Sequence, residues 1–273
     1  MAAVARRRRY MEASGQGLKV ALGRQLSQCS EVITLGVRGN FFDYTPKERD
    51  LIRDASKIYF PTILYAEGLA ALGKPLFPSI HCYRHMGDKW KQTLLFQLLQ
   101  IPMPRTKLYF GRRAAKEILE EFSFPLVAKL PRGGARGEDV FLIRHKDQLE
   151  DYLARTHVAY IQQYVPLERD LRVIVLGRRV VYAYWREAAP GEFRTNVARG
   201  GRICPDPVPQ EALDLGLQVA QRCGFDHVGL DLCEFEGRFL VLEANMAFGR
   251  EGLRKAGLDY RSLLRGMVES GEI

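Results

Sequence analysis

Toward the end of the sequence, the run VGLDLCEFEGRFLVLEANMAFGREGL sets Asp231, Glu243 and Asn245 into two stretches that are otherwise apolar. Strand side chains alternate between faces, so Glu243 and Asn245 point the same way. Asp231 joins them only if the connection has the right parity. A two-residue loop at Glu236-Gly237 would put Asp231 on the opposite face, whereas an odd-numbered loop puts all three on one face. The odd loop is expected, because it also sorts Leu230, Leu232, Leu240, Leu242 and Ala244 onto the other face as a core-packing set. Two carboxylates side by side on adjacent strands repel each other and call for a positive charge between them. Oxygen-only ligands, two anionic and one a neutral amide, suit a hard divalent ion such as Mg²⁺, with Mn²⁺ as a substitute and phosphate oxygens completing the shell. The alternative is that both acids pair with Lys or Arg on a solvated sheet face.

Other groups could meet the phosphates of such a ligand. Lys129 lies within FPLVAKL, too apolar a strand to hold an ammonium group cheaply unless an anion meets it. The following loop carries Gly133, Gly134 and Gly137, where backbone N–H groups can approach phosphates because no Cβ intervenes. It is neither a Walker A loop nor a GxGxxG turn opening a helix, and a plain glycine hairpin is the competing reading. Gln162, Gln163 and Tyr164 end an apolar strand where backbone amides could meet a base edge. Asp170 and Arg172 open the next segment, and FRTNVARGG adds Arg194 and Asn196; arginines aimed at a phosphate or acyl phosphate would clamp charge in a transition state. His81 and His85 have i, i+4 spacing but no helical apolar stripe and no HExxH glutamate, so they are not expected to bind metal.

The elements that position these residues alternate. LKVALG and EVITLGV read as short strands. Thr45-Pro46-Lys47-Glu48 is a helix start with Thr as N-cap, and the helix is expected to end before Pro61. Asp88 can cap KWKQTLLFQLLQ, whose Trp90, Leu94, Leu95 and Leu98 recur at helical spacing until Pro102. Strand RTKLYF, helix RRAAKEILEEF, the Lys129 strand, a second apolar strand, helix KDQLEDYLAR and strand VAYIQQYV follow. DLRVIVLGRRVVYAYWRE reads as a hairpin turning near Gly177-Arg178, and QEALDLGLQVAQRCG as a helix ending at Gly224. This mixture predicts α/β or α+β lobes with mixed or antiparallel sheets.

The chain has 273 residues, 47% hydrophobic, enough for two or three packed lobes. Its 41 Lys and Arg against 32 Asp and Glu give a formal net charge of +9, which favours an anionic partner. Part of that excess, Arg6 to Arg9, sits in a leader read as a solvated tail. No stretch approaches the length of a membrane span. Five scattered cysteines without a CxxC pair suggest neither a disulfide frame nor a zinc ribbon, and a reducing cytoplasm is expected. Beyond the tail there is no interleaving of aromatic and basic residues of the kind that binds nucleic acid, so no nucleic-acid partner and no membrane partner is expected.

Taken in order, Asp88-Lys89, VAKL at Lys129, the glycine loop, QQY at Gln162 to Tyr164, DLRV at Asp170, FRTN at Arg194 and GLDL…VLEAN at Asp231, Glu243 and Asn245 resemble the ATP-grasp superfamily, and within it the RimK-like carboxylate–amine ligases. The resemblance runs from about Asp88 to Gly257. It implies an ATP-grasp fold with a reduced N-terminal domain: a basic tail over 1–17, a short α/β domain over 18–87, a central lid subdomain over 88–158, and a C-terminal subdomain with the metal site over 159–273. By it, Lys89 and Lys129 would reach ATP phosphates, with the Gly133, Gly134 and Gly137 loop beside them. Gln162, Gln163 and Tyr164 would line the adenine hinge, Asp170 would hold the ribose, and Arg194 and Asn196 would face the phosphates. Asp231, Glu243 and Asn245 match the family's magnesium ligands.

The implied reaction makes an acyl phosphate from a carboxylate and ATP, then an amide with an amine or amino acid, releasing ADP and phosphate; Arg172 and Arg194 would stabilise charge. The carboxylate could belong to a small acid, a peptide or a protein terminus, and self-association is left open. Alternatives are an ATP-grasp kinase and a non-catalytic nucleotide-binding protein. The sequence departs from the family pattern at Gln163, where related ligases usually have Glu, and at MAFG after Asn245, where they have a Ser-Pro-Gly turn.

Overall fold

The structure is a computed structural model that describes residues 17–111, 114–132, 139–190, 192, 195 and 200–273. Two compact units emerge, and the chain passes between them more than once. The basic leader lies outside the described residues.

The first unit comprises the described part of Met1–Tyr83 with Gly224–His227 and Gly249–Ile273. Its sheet is parallel, in the order β2-β1-β3-β4, with β1 Lys19–Ala21, β2 Ile33–Thr34, β3 Lys57–Tyr59 and β4 Leu76–Phe77. The expected capping box forms at Pro46–Asp54: Thr45 Oγ1 accepts from the Glu48 amide at 3.3 Å, and the Glu48 carboxylate accepts from the Thr45 amide at 2.8 Å. That helix ends at Asp54, before Pro61 as expected, and KIY then enters the sheet as β3. The sheet supplies a place for Ile58 that no helix face offers: Ile58 is wholly buried with Val20, Leu22, Tyr44, Ile52 and Leu69. At the other end of the chain, Asp259 caps helix Tyr260–Glu269, and the Tyr59 hydroxyl donates to the Ile273 carbonyl at 2.9 Å.

The second unit comprises Arg84–Cys223 and Val228–Phe248 and holds two sheets. One is antiparallel in the order β5-β8-β6-β7, from β5 Thr106–Phe110, β6 Leu126–Lys129, β7 Val140–Ile143 and β8 Val158–Gln163. One of its faces packs Leu126, Ala128, Ala159 and Ile161 against Ile118 and Leu149, the apolar sides of helices Ala114–Glu121 and Lys146–Leu153. Strand alternation therefore turns Val127, Lys129, Tyr160 and Gln162 to the opposite face. The other sheet runs β11-β10-β9-β12-β13, with β9 Arg169–Leu176, β10 Arg179–Glu187, β11 Arg202–Cys204, β12 His227–Phe235 and β13 Arg238–Asn245. The hairpin of β9 and β10 turns at Gly177-Arg178 as expected, with a bulge between Val180 and Tyr182. Helix Gln210–Cys223 covers this sheet with Ala212, Val219 and Ala220.

Helix Lys89–Leu98 inverts the sequence expectation. Asp88 caps it, accepting from the Lys91 amide at 2.9 Å, which stabilises by about 1 kcal/mol. Its apolar stripe does not face the core: Leu94 is 50% and Leu98 72% exposed, whereas Lys89, Gln92, Thr93 and Phe96 are buried. The buried polar side chains find partners, which is what makes this orientation affordable. Gln92 donates to the carbonyls of His85 and Ala244, both at 2.8 Å, and accepts from the Ala244 amide at 3.2 Å. The Thr93 and Tyr160 hydroxyls meet at 2.9 Å.

All five cysteines are buried and free. No helix among the described residues is long and apolar enough to cross a membrane.

Candidate functional site

Asp231 and Glu243 face each other across one rung of the β12–β13 ladder, and Asn245 lies two residues on, opposite Gly229. The three share a face, but not through an odd loop. Phe235 pairs with Arg238, so the connection is the two-residue Glu236-Gly237 turn, and both its residues have positive φ, 50° and 72°. Parity changes instead within β13, where a bulge between the Asp231 and Leu232 rungs leaves Leu242 as the extra residue. The sorting of leucines changes with it. Leu230, Leu232, Val241 and Ala244 face the core side, whereas Leu240 and Leu242 join Val165 and Cys233 on the site face. Along that face β12 and β13 thus run from an apolar end, Cys233 with Leu240 and Leu242, to a charged end, Asp231 with Glu243 and Asn245. Burial, with Asp170 adding to it, pushes the Cys233 thiol up to about 12, so Cys233 serves as wall rather than nucleophile.

The charged end is built into the sheet. Arg172 on β9 grips Asp231 with its guanidinium fork: Nε donates to Oδ1, and Nη2 donates to Oδ2 at 3.0 Å. Arg186 on β10 forks Asp170 through Nε at 2.8 Å and through Nη2, which also lies 3.0 Å from Asp231 Oδ1. The Asn245 amide donates to Asp231 Oδ2 at 3.0 Å. Asp170, Arg172, Arg186 and Asp231 are each no more than 6% exposed. Burial alone would raise the Asp231 carboxyl, but Arg172 and Arg186 outweigh it and hold the group below the ordinary carboxylate range. For Arg186, burial works against the charge, and Asp170 and Asp231 reverse that and raise its pKa. Gly229 makes the approach of Arg172 feasible, since a Cβ there would stand 3.0 Å from Arg172 Cδ and 2.8 Å from Phe248 Cβ.

Beside Glu243 opens a narrow cleft lined by Lys89, Gln92, Thr93, Phe96, Lys129, Tyr160 and Leu242. Lys129 is 6% exposed, with Nζ 5.7 Å from the Tyr160 ring centroid. Burial lowers its pKa, Glu243 opposes that shift, and the nearby Lys89 adds to it. A cleft with two buried ammonium groups facing a carboxylate is suited to a polyanion that brings a cation of its own.

The structure separates the hinge glutamines. Gln162 lies on the Lys129 face, 3% exposed, and donates to Thr106 Oγ1 at 3.0 Å. Gln163 pairs with Leu126 on the other face and is exposed, so its side chain is not in the cleft and the expected Glu-to-Gln contrast at 163 falls outside it. Tyr164 is half-buried just beyond β8. Asp170, expected at a ribose, is engaged on both oxygens by Arg186, and that pair accounts for its burial. Gly133, Gly134, Gly137, Arg194 and Asn196 lie outside the described residues. Sequence reasoning missed Arg186 and Gln92. The signal for Arg186 was the i, i+2, i+4 row Tyr182, Tyr184, Arg186 on a strand expected to pair with DLRV; Gln92 carried none.

As a holder for a divalent cation, the set is chemically apt: it offers only oxygen donors, two of them carboxylate, on one strand face. Glu243 opens to the cleft and Asn245 keeps its amide oxygen. Asp231 fits only on exchange, because all four of its acceptor positions are engaged by Arg172, Arg186 and Asn245.

The RimK-like ATP-grasp domain family matches residues 86–265. Human N-acetylaspartylglutamate synthase A is 35% identical over 158 residues, which is 55% of this chain and 40% of that protein. Human beta-citrylglutamate synthase B is 36% identical over 180 residues, 62% of this chain and 46% of that protein. The chain therefore spans less than half the length of these two relatives. Among solved structures, a RimK-domain ATP-grasp protein from Sphaerobacter thermophilus superposes with a TM-score of 0.65 at 18% identity, over 91% of this chain and 98% of that one. The D-alanine–D-alanine ligase of Bacillus anthracis gives a TM-score of 0.67 at 14% identity, over 93% and 96%. These structural likenesses establish the ATP-grasp fold, and the family match covers most of the sequence, including both sheets that build the cleft: the chain belongs to the RimK-like ATP-grasp family.

Proposed function

We propose that this protein is an ADP-forming carboxylate–amine ligase whose ATP lies along the site face of β12 and β13. The observation that carries the reading is the gradient on that face, from Leu240, Leu242, Cys233 and Val165 at one end to Asp231, Glu243 and Asn245 at the other, with Lys129 and Lys89 beside the acids. A flat base suits the apolar end. Gln162, fixed through its amide nitrogen by Thr106, presents its carbonyl oxygen to an exocyclic amine. Lys129 and Lys89 take the phosphates, and the anion restores to Lys129 the charge that burial disfavours. Glu243, Asn245 and Asp231 would hold a divalent cation, which when bound neutralises phosphate oxygens and aligns the terminal phosphate.

In this reading a substrate carboxylate oxygen attacks the γ-phosphorus, the bond to the ADP oxygen breaks, and an acyl phosphate forms. A neutral amine then attacks the acyl carbon, the C–O bond breaks with its electron pair leaving on the phosphate oxygen, the nitrogen gives up one proton to the departing phosphate, and an amide remains. The side chains position reactants and offset charge, and none acts as a covalent nucleophile. The names of the two human relatives describe glutamate joined to an acidic partner, and the net charge of +9 suits such substrates. Glutamate is therefore proposed as the amine and an acidic carboxylate as the acceptor.

The test is turnover of MgATP with pools of amino acids, acidic peptides and small di- and tricarboxylates, following ADP, phosphate and new masses. ADP release that needs both a carboxylate and glutamate, with a condensed product, is expected. A phosphorylated product without an amide would make the protein a kinase, and tight MgATP binding without turnover in any pool, peptides included, would overturn the ligase reading.

A further inference from the structure

The saturation of Asp231 has a consequence for how the cleft is loaded. Its two oxygens offer about four acceptor positions, and four contacts fill them: Arg172 Nε and Arg186 Nη2 on Oδ1, Arg172 Nη2 and Asn245 Nδ2 on Oδ2. Arg186 has a second carboxylate, Asp170, to hold it in place if Asp231 is withdrawn. Among the contacts described, Arg172 has no second carboxylate. It is also the side chain for which space was made, its stem crossing Gly229 where a Cβ would stand 3.0 Å from Cδ. A cation reaching Asp231 must displace one of these donors, and the Arg172 fork occupies one position on each oxygen.

We propose that Arg172 is an exchangeable counter-ion of Asp231: guanidinium and divalent cation compete for the same carboxylate, so that loading the site releases the Arg172 fork toward the anionic reaction centre. The inference rests on the metal assignment made under Proposed function. Before loading, Arg172 acts on the cation through Asp231, and its five donors become available to phosphate oxygens only once the cation has arrived. The arrangement keeps a buried carboxylate compensated in both states, because one positive charge replaces another.

Mn²⁺ binding to the purified full chain, followed by electron paramagnetic resonance with and without ADP, tests this. Arg172→Met is expected to bind Mn²⁺ about tenfold more tightly than the wild type, since a fork of charge-assisted bonds no longer competes. Its nucleotide-free thermal midpoint should be lowered and then recovered by Mn²⁺, with a larger upward shift than in the wild type. Arg172→Lys separates competition from long-range charge, because it keeps the positive charge and loses the fork. Tighter Mn²⁺ binding in Arg172→Lys is expected, and wild-type affinity in that variant would overturn the proposal. Should Arg172→Met fail to fold, Arg172→Lys and Gly229→Ala, which crowds the Arg172 stem, carry the same expectation. Glu243→Gln keeps the two ideas apart. If it weakens Mn²⁺ binding while the Arg172 variants match the wild type, the competition fails and the metal site stands; if it leaves Mn²⁺ binding unchanged, both fall.

Discussion

Two acids on one ladder rung should respond to neutralisation very unequally. Asp231 is 6% exposed and accepts from two guanidinium groups and an amide, whereas Glu243 is half-buried and opens to the cleft. In Asp231→Asn one oxygen becomes an NH₂ group, which turns two acceptor positions into donors facing the donors of Arg172 and of either Arg186 or Asn245. At least one charge-assisted bond is lost, worth about 1.5–3 kcal/mol, and the guanidinium left behind is buried and under-compensated. Removing one partner of a buried pair costs about 3–5 kcal/mol, which brackets the total. At about 2–4 °C per kcal/mol for a domain of this size, the midpoint should fall by roughly 10 °C. Glu243→Gln breaks no such network and should move it by about 1–2 °C while removing metal-dependent turnover. Thermal unfolding of both variants without nucleotide or metal, followed by circular dichroism, reads the difference. Equal midpoints for the two, or an Asp231→Asn midpoint within about 3 °C of wild type, would refute the claim that Asp231 is an internal staple of the sheet as well as a site residue.

Three further outcomes follow from the cleft. Lys129→Met should weaken nucleotide binding by about ten- to a hundredfold, the worth of one charge-assisted contact to phosphate, in a calorimetric titration. It should also raise the nucleotide-free midpoint, because burial puts the folded pKa of Lys129 below its unfolded value near 10.4. The resulting penalty is complete below the folded value and fades as pH rises to about 10.4; wild-type stability measured against pH should climb across that window, and the climb should be missing in Lys129→Met. Gln163→Ala should leave ATP affinity unchanged and Gln162→Leu should reduce the preference for ATP over GTP, and a competition titration giving the reverse would return the base contact to Gln163. Gln92→Leu, which cuts three hydrogen bonds to His85 and Ala244, should lower kcat more than it raises KM by loosening the backbone between Glu243 and Asn245.

Local patterns carried most of the strands and helices and the grouping of Asp231, Glu243 and Asn245 on one face. Capping at Thr45 and Asp88, the turn at Gly177-Arg178 and the end of helix Gln210–Cys223 were all legible, because each depends on residues within one or two turns of chain. What escaped depends on partners distant in sequence. The parity argument at Asp231 arrived at the right face by the wrong route: a bulge residue such as Leu242 bears no local mark, and it does to register what an odd loop would have done. The hydrophobic stripe of Lys89–Leu98 misled for a related reason. Periodicity finds the apolar side of a helix, yet here the buried side carries Lys89, Gln92 and Thr93 beside Phe96, since the elements it meets supply the Ala244 backbone and the Tyr160 hydroxyl.

The same reasoning explains why Arg186, and Gln92 in the cleft wall, belong with the site although neither takes part in the proposed chemistry. A carboxylate that must trade one cation for another needs neighbours that stay put during the trade. Arg186 is anchored by Asp170, and Gln92 holds both backbone groups of Ala244, between the two donors of β13. Among the described residues around Asp231, Arg172 alone combines a full fork on that carboxylate with a path opened by a glycine. The sheet thus distributes rigidity unevenly around one buried acid: Asp170, Arg186 and Gln92 fix the frame, and the side chain left able to move is the one whose charge the chemistry can use.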